Sequence, residues 1–343
     1  MITVLEAGLY STLQDLGRSG WGHLGVSTAG AADAFSLRVA NRLVGNQDGA
    51  ATLEMTARGP RLRFEKAAGI ALTGADVEAN LDGTPLPMYQ TIQVSAGSTL
   101  NLGRIHPGLR CYLAVAGGLD LPRILGSAST DSLSGLGPSP LAAGMQLPMG
   151  TPPGRTAEGA YLRSPPHFGT AAEVRLLPGP QEDWFTPDSR LKLLESDYRV
   201  LPQSDRTGVR LEGAALKRDR RTELPSMGMV TGAIQVPGSG QPIVLLPNHG
   251  ITGGYPVIGN VISADLGKLA QLTPGDRLRF SLVTRDTALA ALREQEERLD
   301  HDIVSADTGL LAARALIYLA DRHSSLQQAD VTAGQLRIKI RRT

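Results

Sequence analysis

The residues of this sequence that could do chemistry are polar side chains set into glycine-rich turns. Arginine can bind a carboxylate or a phosphoryl group through two parallel hydrogen bonds, and aspartate can accept or position a proton. Backbone N–H groups of consecutive turn residues can form a concave binding surface for an anion. The clusters are Gln14-Asp-Leu-Gly-Arg18 leading on to His23 and Asp33, Leu72-Thr-Gly-Ala-Asp76, Ser204-Asp-Arg206, and Asn248-His-Gly-Ile-Thr-Gly-Gly-Tyr-Pro256.

From these clusters we predict a site for an anionic small molecule. Arg18 and Arg206 would bind a carboxylate or a phosphorylated intermediate, and the amides of Gly253 and Gly254 would stabilise developing negative charge. An aspartate would position a proton or a metal-bound phosphate. The predicted catalytic residues are Asp15, Arg18, Asp33 and Asp76, and the predicted substrate-binding residues are Arg206, Thr252, Gly253, Gly254 and Tyr255.

Two clusters, Gln14–Arg18 and Thr252–Tyr255, are expected to line one shared pocket although they lie far apart in the sequence. An anionic ligand needs a fixed cation and backbone donors together, because a lone cation on a loop is well solvated and binds weakly. The Arg18 guanidinium would then lie within ~10 Å of the Gly253 amide, the span of a small-ligand pocket. The alternative is that each cluster is an ordinary β-turn, with Arg18 pairing with a local carboxylate.

Several other chemistries are not indicated. The sequence has no G-x-x-x-x-G-K-[ST] phosphate loop, no G-x-S-x-G elbow and no lysine in a Met-Lys-Met context, so we expect no phosphate loop and no attached biotin in this chain. The six histidines are scattered, so no metal site is predicted. The one cysteine, Cys111, lies in an apolar run and is expected to be a buried structural residue.

Charge and hydropathy exclude further classes of protein. The 34 basic residues balance 33 acidic ones, whereas a nucleic-acid-binding protein is expected to carry a basic excess or a basic stripe. The first residues do not resemble a signal peptide, and no run of 18 apolar residues occurs. We therefore expect a cytoplasmic protein with neither nucleic acid nor membrane as a partner.

Short apolar runs separated by turn residues predict a mainly β fold with a few short helices. Asp82-Gly83 is a strong hairpin signal, because glycine accepts positive φ. Predicted strands are Thr52–Met55, Arg61–Phe64, Gly69–Thr73, Val77–Leu81, Thr91–Val94, Thr99–Leu102, Val174–Pro178, Val209–Leu211, Ala233–Val236, Ile243–Leu246, Val257–Ile262 and Arg277–Phe280. Predicted helices span about 32–43, with Asp33 in its first turn, 188–195, capped by Thr186, and 287–299.

The chain divides at residues 134–170, which are rich in Gly, Pro, Ser and Ala. We predict an N-terminal β half over 1–165, a C-terminal β half over 166–285, and a helical extension over 286–343 that ends in a strand. The extension includes a second helix over 309–322 and an alternating strand over 336–340, and we expect the segment after about residue 300 to be dispensable for folding. Gly83–Pro87 resembles Gly240–Val244, which hints at a duplication.

Taken together, ten short blocks resemble the carboxyltransferase domain family over residues 1 to about 285. That family includes the C-type member of bacterial ATP-dependent 5-oxoprolinase, allophanate hydrolase subunit 2, the carboxyltransferase portion of urea carboxylase, and an antagonist of a sporulation kinase inhibitor. The blocks are Gln14–Arg18, Ala40–Asn46, Leu72–Asp76, Tyr112–Gly118, Leu125–Asp131, Gln203–Arg206, Gly232–Val236, Gly240–Val244, Thr252–Pro256 and Ala270–Asp276. Asn248–Ile251 depart from the family pattern.

The resemblance implies two cyclophilin-like β-barrel halves and a subunit of a hetero-oligomeric hydrolase. The expected reaction is ATP-driven opening of 5-oxoproline to glutamate, with a B-type partner subunit, a large A-type subunit that handles the lactam, and ATP with Mg²⁺ bound in the complex. Two alternatives stay open. The chain could be a carboxyltransferase component that acts on urea or a related amide with carboxybiotin from another protein, or a non-catalytic regulator that binds a B-type homologue.

Overall fold

The computed structural model describes residues 1–152, 159–219 and 224–305, together with two strands at 328–333 and 336–341. It confirms a mainly β fold. The described helices are short apart from the last, and none is long and apolar enough to cross a membrane. They are α1 (Ala34–Leu43), α2 (Pro187–Glu195), α3 (Leu266–Ala270) and α4 (Arg285–His301), with 3₁₀ turns at Gly22–Leu24, Glu182–Trp184 and Ser263–Asp265.

The first half consists of two sheets that enclose one apolar core. Its strands are β1 (Ile2–Glu6), β2 (Tyr10–Gln14), β3 (Thr52–Thr56), β4 (Arg61–Phe64), β5 (Ala68–Gly74), β6 (Val77–Leu81), β7 (Thr84–Pro85), β8 (Thr91–Val94), β9 (Thr99–Ile105), β10 (Arg110–Val115), β11 (Gln146–Leu147) and β12 (Ala160–Leu162). One sheet has the order β11-β1-β4-β9-β6-β7 and the other has the order β2-β3-β10-β5-β8. The predicted hairpin turn joins β6 to β7, with positive φ at both Asp82 and Gly83.

The second half is a closed barrel with its own core. Its strands are β13 (Ala171–Pro178), β14 (Tyr198–Val200), β15 (Gly208–Glu212), β16 (Met227–Gly228), β17 (Ala233–Gln235), β18 (Ile243–Leu245), β19 (Thr252–Gly253), β20 (Val257–Val261) and β21 (Arg277–Leu282). The barrel order is β13-β20-β17-β18-β15-β14-β21, and the parallel pair β13 and β21 closes it. β16 and β19 form a separate two-stranded antiparallel sheet. The domain boundaries themselves stay a prediction.

Local sequence signals explain the two predicted helices of the main body. Asp33 is the N-cap of α1 rather than a first-turn residue, and its carboxylate accepts from the Ser36 amide at 3.0 Å. Such a cap satisfies one of the free N–H groups at a helix start. Thr186 caps α2 in the same way, with Pro187 at the first helical position.

The C-terminal extension packs against the first half. Leu299 of α4 is buried in the first core, and β22 (Ile303–Ser305) pairs with β12. Residues 303–305 are therefore part of the fold, contrary to the expectation that the segment after about residue 300 is dispensable. For the residues after 305 that expectation stays a prediction. The predicted strand over 336–340 is confirmed within β24 (Leu336–Arg341), which pairs with β23 (Gln328–Ala333). The predicted helix over 309–322 lies outside the described residues.

Ion pairs join α4 to α1 at the surface, and we call their residues the surface cluster. Its arginines bind carboxylates from α4 and from the loop after α1 at 2.6 to 2.8 Å, and the side chains of this cluster remain 18% to 58% exposed. The surface cluster consists of Arg38, Arg42, Asp48, Glu296 and Asp300.

Candidate active site between the two halves

The two halves meet at a buried carboxylate, Glu54 of β3, which is 1% exposed. Arg206 from the barrel forms an ion pair with its Oε1, and Nε of Arg110 in β10 lies 3.6 Å from the same oxygen. The Tyr112 hydroxyl and the Ala32 amide donate to Oε2 at 2.8 and 2.9 Å. We call Glu54, Arg110 and Arg206 the buried seam.

Electrostatics favour the ionised form of Glu54. Burial alone would raise the pKa of Glu54, but the guanidinium groups of Arg206 and Arg110 hold that pKa below its usual value. Burial lowers the pKa of Arg110, and the Glu54 carboxylate opposes that effect. Of the two cations beside this carboxylate, Arg206 joins the barrel to the first half, whereas Arg110 belongs to the first half itself.

Arg206 reaches the seam from the turn between β14 and β15. Its guanidinium also donates to the Gly30 carbonyl and, at 3.0 and 3.3 Å, to the side-chain oxygen of Asn248. Asn248 in turn donates from Nδ2 to Asp131 of the first half at 3.1 Å. The predicted substrate-binding arginine therefore uses most of its donors on protein groups at the interface between the halves.

Arg18 lies inside the first half and is 1% exposed. Its guanidinium donates to the carbonyl of Ser129 at 2.5 Å and, at 3.4 Å, to the carbonyl of Ile124, and Nη1 lies 3.9 Å from Asp131. The carboxylate beside Arg18 is thus one that also binds Asn248 of the barrel. In this conformation Arg18 supports the loop beside the interface.

Asp15 performs a similar supporting role in the same loop region. Its carboxylate accepts from the Gly17 and Ala128 amides at 2.7 and 2.8 Å, and from the hydroxyls of Ser127 and Ser129 at 2.6 Å each. A carboxylate that accepts several hydrogen bonds can tie distant loop segments together. Asp15 joins the loop after β2 to the segment that precedes Asp131.

The other two predicted catalytic aspartates take different positions. Besides capping α1, Asp33 accepts from the side-chain amide of Gln271 in the barrel half at 2.9 Å. Asp76 is half-buried in the turn between β5 and β6, and its carbonyl accepts from the His106 amide. The buried Asp33 therefore belongs to the interface between the halves, whereas Asp76 lies in a turn of the first half.

The predicted substrate-binding turn is at the surface. Thr252 and Gly254 are exposed, and Tyr255 is 49% exposed. Gly253 pairs with β16, and a Cβ at that position would collide with the side-chain amide of Gln235. A side chain at this position would therefore require the Gln235 amide to move.

The loop that follows Arg18 lies beside the loop that leads into this turn. The Ala29 amide donates to the Pro247 carbonyl at 3.1 Å. A Cβ on Gly22 would lie 3.7 Å from Cγ2 of Ile251. These contacts bring the two predicted motifs to the same side of the interface, and a single pocket lined by both stays a prediction.

A cavity of 280 Å³ opens between the halves next to the buried seam. Two buried residues, Arg206 and Asn248, contribute to its lining. A hydroxyl pair at 3.0 Å, Tyr10 with Ser132, lies on the side of the first half. Its lining residues are Tyr10, Ser132 and Leu133 from the first half and Asp205, Arg206, Thr207 and Asn248 from the second.

The lining of this cavity offers hydrogen-bond donors and acceptors together. The Nδ2 group of Asn248 uses one N–H on Asp131 and carries a second. Asp205 accepts from the amide and hydroxyl of Thr207 through Oδ1 at 2.7 and 2.5 Å, and its Oδ2 is a further acceptor. This combination suits a ligand that presents both a carbonyl oxygen and an N–H group.

Sequence reasoning does not single out Glu54, Arg110 or Tyr10 as site residues. Glu54 lies in a strand whose other residues are apolar or threonine, and a charged residue at such a position is the signal that could have drawn attention to it. Asn248 departs from the family pattern, and the structure places it between Asp131 and Arg206.

Within the described part of the chain, no group of three or more His, Cys, Asp or Glu side chains is arranged to hold a metal ion. Cys111 is buried in the first core, as expected, and burial raises the pKa of its thiol.

Comparison with known proteins places this chain in the carboxyltransferase domain family. The model of the carboxyltransferase domain, subdomain A and B, matches residues 24–282. The chain is 39% identical over 299 residues to the C-type subunit of 5-oxoprolinase from Escherichia coli, a match that covers 86% of this chain and 96% of the relative. It is 37% identical over 308 residues to the corresponding 5-oxoprolinase protein of Haemophilus influenzae, with 88% and 97% covered.

Larger enzymes contain a related region. The urea amidolyase of Lachancea kluyveri is 31% identical over 337 residues, a match that covers 90% of this chain and 18% of that enzyme. The crystal structure of the Kluyveromyces lactis urea amidolyase superposes with a TM-score of 0.81 at 27% identity, over 88% of this chain and 20% of that one. This chain therefore spans about a fifth of those multi-domain proteins.

Proposed function

Because this chain belongs to the carboxyltransferase domain family, we propose that it is a subunit of an ATP-dependent 5-oxoprolinase. One observation carries the proposal: the similarity extends over 96% and 97% of the two C-type 5-oxoprolinase subunits, but over only 18% of a urea amidolyase. The chain thus matches the C-type subunits over nearly their whole length, whereas it matches one part of the larger enzyme.

The cavity between the halves is the site that we assign to the lactam. In the net reaction one water molecule cleaves the lactam C–N bond of 5-oxoproline to give glutamate. A second water molecule hydrolyses ATP to ADP and phosphate. Asn248 would donate to the lactam oxygen, and Asp205 would accept from the lactam N–H. Arg206, held in place by Glu54, would supply positive potential where negative charge develops on that oxygen.

The proposed assembly contains more than this chain. A B-type subunit and a large A-type subunit would complete the enzyme in the cytoplasm, and ATP with Mg²⁺ would bind in the complex. Arg18 and Asp15 would act by holding the loop that carries Asp131 and hence Asn248. The amides of Gly253 and Gly254 would bind the anionic end of the substrate or of a phosphorylated intermediate.

Reconstitution tests this proposal. The chain is mixed with its candidate B-type and A-type partners, and ATP-dependent release of glutamate from 5-oxoproline is measured against each component alone. We expect turnover only in the full mixture. Full turnover by the isolated chain, or no turnover by a mixture that forms a stable complex, would contradict the proposal.

A carboxyltransferase that uses carboxybiotin is the second candidate, and the likeness to urea amidolyase favours it. It would take a carboxyl group from biotin on another protein and transfer it to urea or a related amide. Incubation with a carboxylated biotin carrier and urea separates the two candidates, because only the carboxyltransferase would discharge the carrier in a urea-dependent way. The third possibility, a regulator that binds a B-type homologue, predicts complex formation without either activity.

A further inference from the structure

Gln271, at the C-cap of α3, reaches from the barrel half into the first half and is 2% exposed. Its Oε1 accepts from the Arg110 and Leu109 amides at 2.9 and 3.2 Å, and its Nε2 donates to the Arg110 carbonyl at 3.0 Å. A second donor bond from Nε2 reaches the Asp33 carboxylate at 2.9 Å. The side-chain amide therefore pairs with the peptide groups of Arg110 as a neighbouring strand would.

The contact is reciprocal. The guanidinium of Arg110 donates back to the carbonyl of Ala270, the residue before Gln271. Arg110 thus touches the barrel through its backbone and its side chain at once. Its guanidinium also faces Glu54, with Nε 3.6 Å from the carboxylate.

A second route leads from Gln271 to the same carboxylate. The Asp33 amide donates to the Tyr112 hydroxyl at 2.8 Å, and that hydroxyl donates to Glu54 at 2.8 Å. Both routes end at the ion pair between Glu54 and Arg206, and Arg206 lines the cavity. Gln271 is therefore connected to the cavity through the bonds to Asp33, Tyr112 and Glu54 and the ion pair of Glu54 with Arg206.

We propose that Gln271 is a positioning residue that locks the barrel onto Arg110 and Asp33, so that Glu54 holds Arg206 at the cavity. The inference rests on the proposed function only for its activity readout. Glutamine suits the position because one amide supplies the acceptor for two N–H groups and the donors for a carbonyl and a carboxylate. Glutamate at this position would lose both donors and would bring a second carboxylate against Asp33.

The chain offers a matched control in Gln241. This glutamine makes the same kind of amide-to-peptide pairing, with Gly213 at 2.9 and 3.2 Å, but it lies in an exposed region of the barrel half. Substitutions at Gln241 therefore test the loss of a similar pairing without the connection to Glu54.

The experiment uses Gln271→Glu, Gln271→Met, Gln241→Glu and Gln241→Met in the reconstituted complex. For Gln271→Glu we expect kcat/KM for 5-oxoproline to fall ~10-fold or more, about the effect of misplacing one charged hydrogen-bonding group. The loss relative to the wild-type complex should shrink as the pH falls from about 8 to about 6, because burial and Asp33 favour the protonated form of the new carboxyl over the opposing charge of Arg110, and that form regains one of the two donor bonds. Gln271→Met should show a loss that does not vary with pH, and both Gln241 variants should behave like the wild-type protein.

Hydrogen exchange of the isolated chain gives a readout that does not depend on activity. The Ala32 amide donates to Glu54, and the Asn248 amide donates to the Arg206 carbonyl. Faster exchange at both amides in Gln271→Met, with unchanged exchange rates in the barrel core, would support the proposed positioning role of Gln271. Wild-type protection at Ala32 and Asn248 would overturn it, as would wild-type kcat/KM in both Gln271 variants of an active complex.

The two failures are distinguishable. If the wild-type complex neither binds nor opens 5-oxoproline, the proposed function fails, while the exchange comparison still decides the role of Gln271. If Gln271→Glu does not fold, Gln271→Met carries both measurements because it keeps the length of the side chain and introduces no charge.

Discussion

The buried seam and the surface cluster both join separate parts of the chain through arginine and carboxylate groups, yet they differ in what they do. In the buried seam Arg206 forms a close ion pair with Glu54, but Arg110 lies 3.6 Å from that carboxylate, farther than the 2.6 to 2.8 Å of the pairs in the surface cluster. The side chains of the surface cluster remain in contact with water, while those of the buried seam are at most 8% exposed. Distance alone therefore does not rank these interactions, because water screens the exposed pairs and leaves the buried ones dependent on each other.

We expect the largest loss of stability for Glu54→Gln in the buried seam. This change keeps the shape of the side chain but leaves Arg110 and Arg206 buried without a counter-ion. Breaking a buried ion pair by removing one partner destabilises a protein by ~3–5 kcal/mol. We expect a loss of that order in the free energy of unfolding in urea. A loss below ~1 kcal/mol would show that the seam contributes no more than an exposed pair.

The pH dependence of stability gives the next largest effect. The folded-state pKa of Glu54 lies below its usual value of 4.5, so the unfolded chain binds this proton more readily than the folded chain does. The stabilisation is therefore present above about pH 4.5 and is lost as the pH falls through the lower folded-state value. Urea titrations between pH 7 and pH 3 should show a shallower loss in Glu54→Gln than in the wild-type protein. Parallel curves for the two proteins would refute this assignment.

A smaller effect is expected for Glu296→Gln in the surface cluster. The exposed carboxylate holds the pKa of Arg38 above its usual value, but solvent and salt screen the pair. Exposed ion pairs contribute ~0–1 kcal/mol. We expect the change in the free energy of unfolding to stay within that range and to diminish further at an ionic strength of about 1 M. A loss comparable to that of Glu54→Gln would remove the distinction between the two regions.

The sequence predicted local elements well and the interface poorly. Strands and the helices α1 and α2 follow from alternation, turn residues and caps within a few neighbouring positions, and the structure has them. Asp33 was expected in the first turn of a helix, but no local pattern could show that its carboxylate also binds Gln271. The pairing of Glu54 with Arg206 likewise joins residues of different halves, and such contacts depend on tertiary packing.

The predicted site residues illustrate the same limit. A cation and a carboxylate in a glycine-rich turn can bind ligands, which is why Arg18 and Asp15 are candidates, but that reasoning does not reveal burial. In the structure both side chains are buried and form hydrogen bonds to the segment 124–131, although Nη1 of Arg18 makes none. Arg206 is a candidate on the same grounds, and it does border a cavity. Only the fold separates the polar residue that supports a loop from the one that faces a ligand.

Asp205→Asn in the reconstituted complex tests most directly whether the cavity between the halves is the lactam site. Asparagine keeps the Oδ1 acceptor that binds Thr207, so the turn should survive, but it replaces the second acceptor with an N–H donor. We predict wild-type unfolding and a fall of ~10-fold or more in kcat/KM for 5-oxoproline. Asp188→Asn, which removes a surface pair with Lys192, is the control and should leave kcat/KM unchanged. Wild-type kcat/KM for Asp205→Asn in an active complex would contradict the assignment of the cavity.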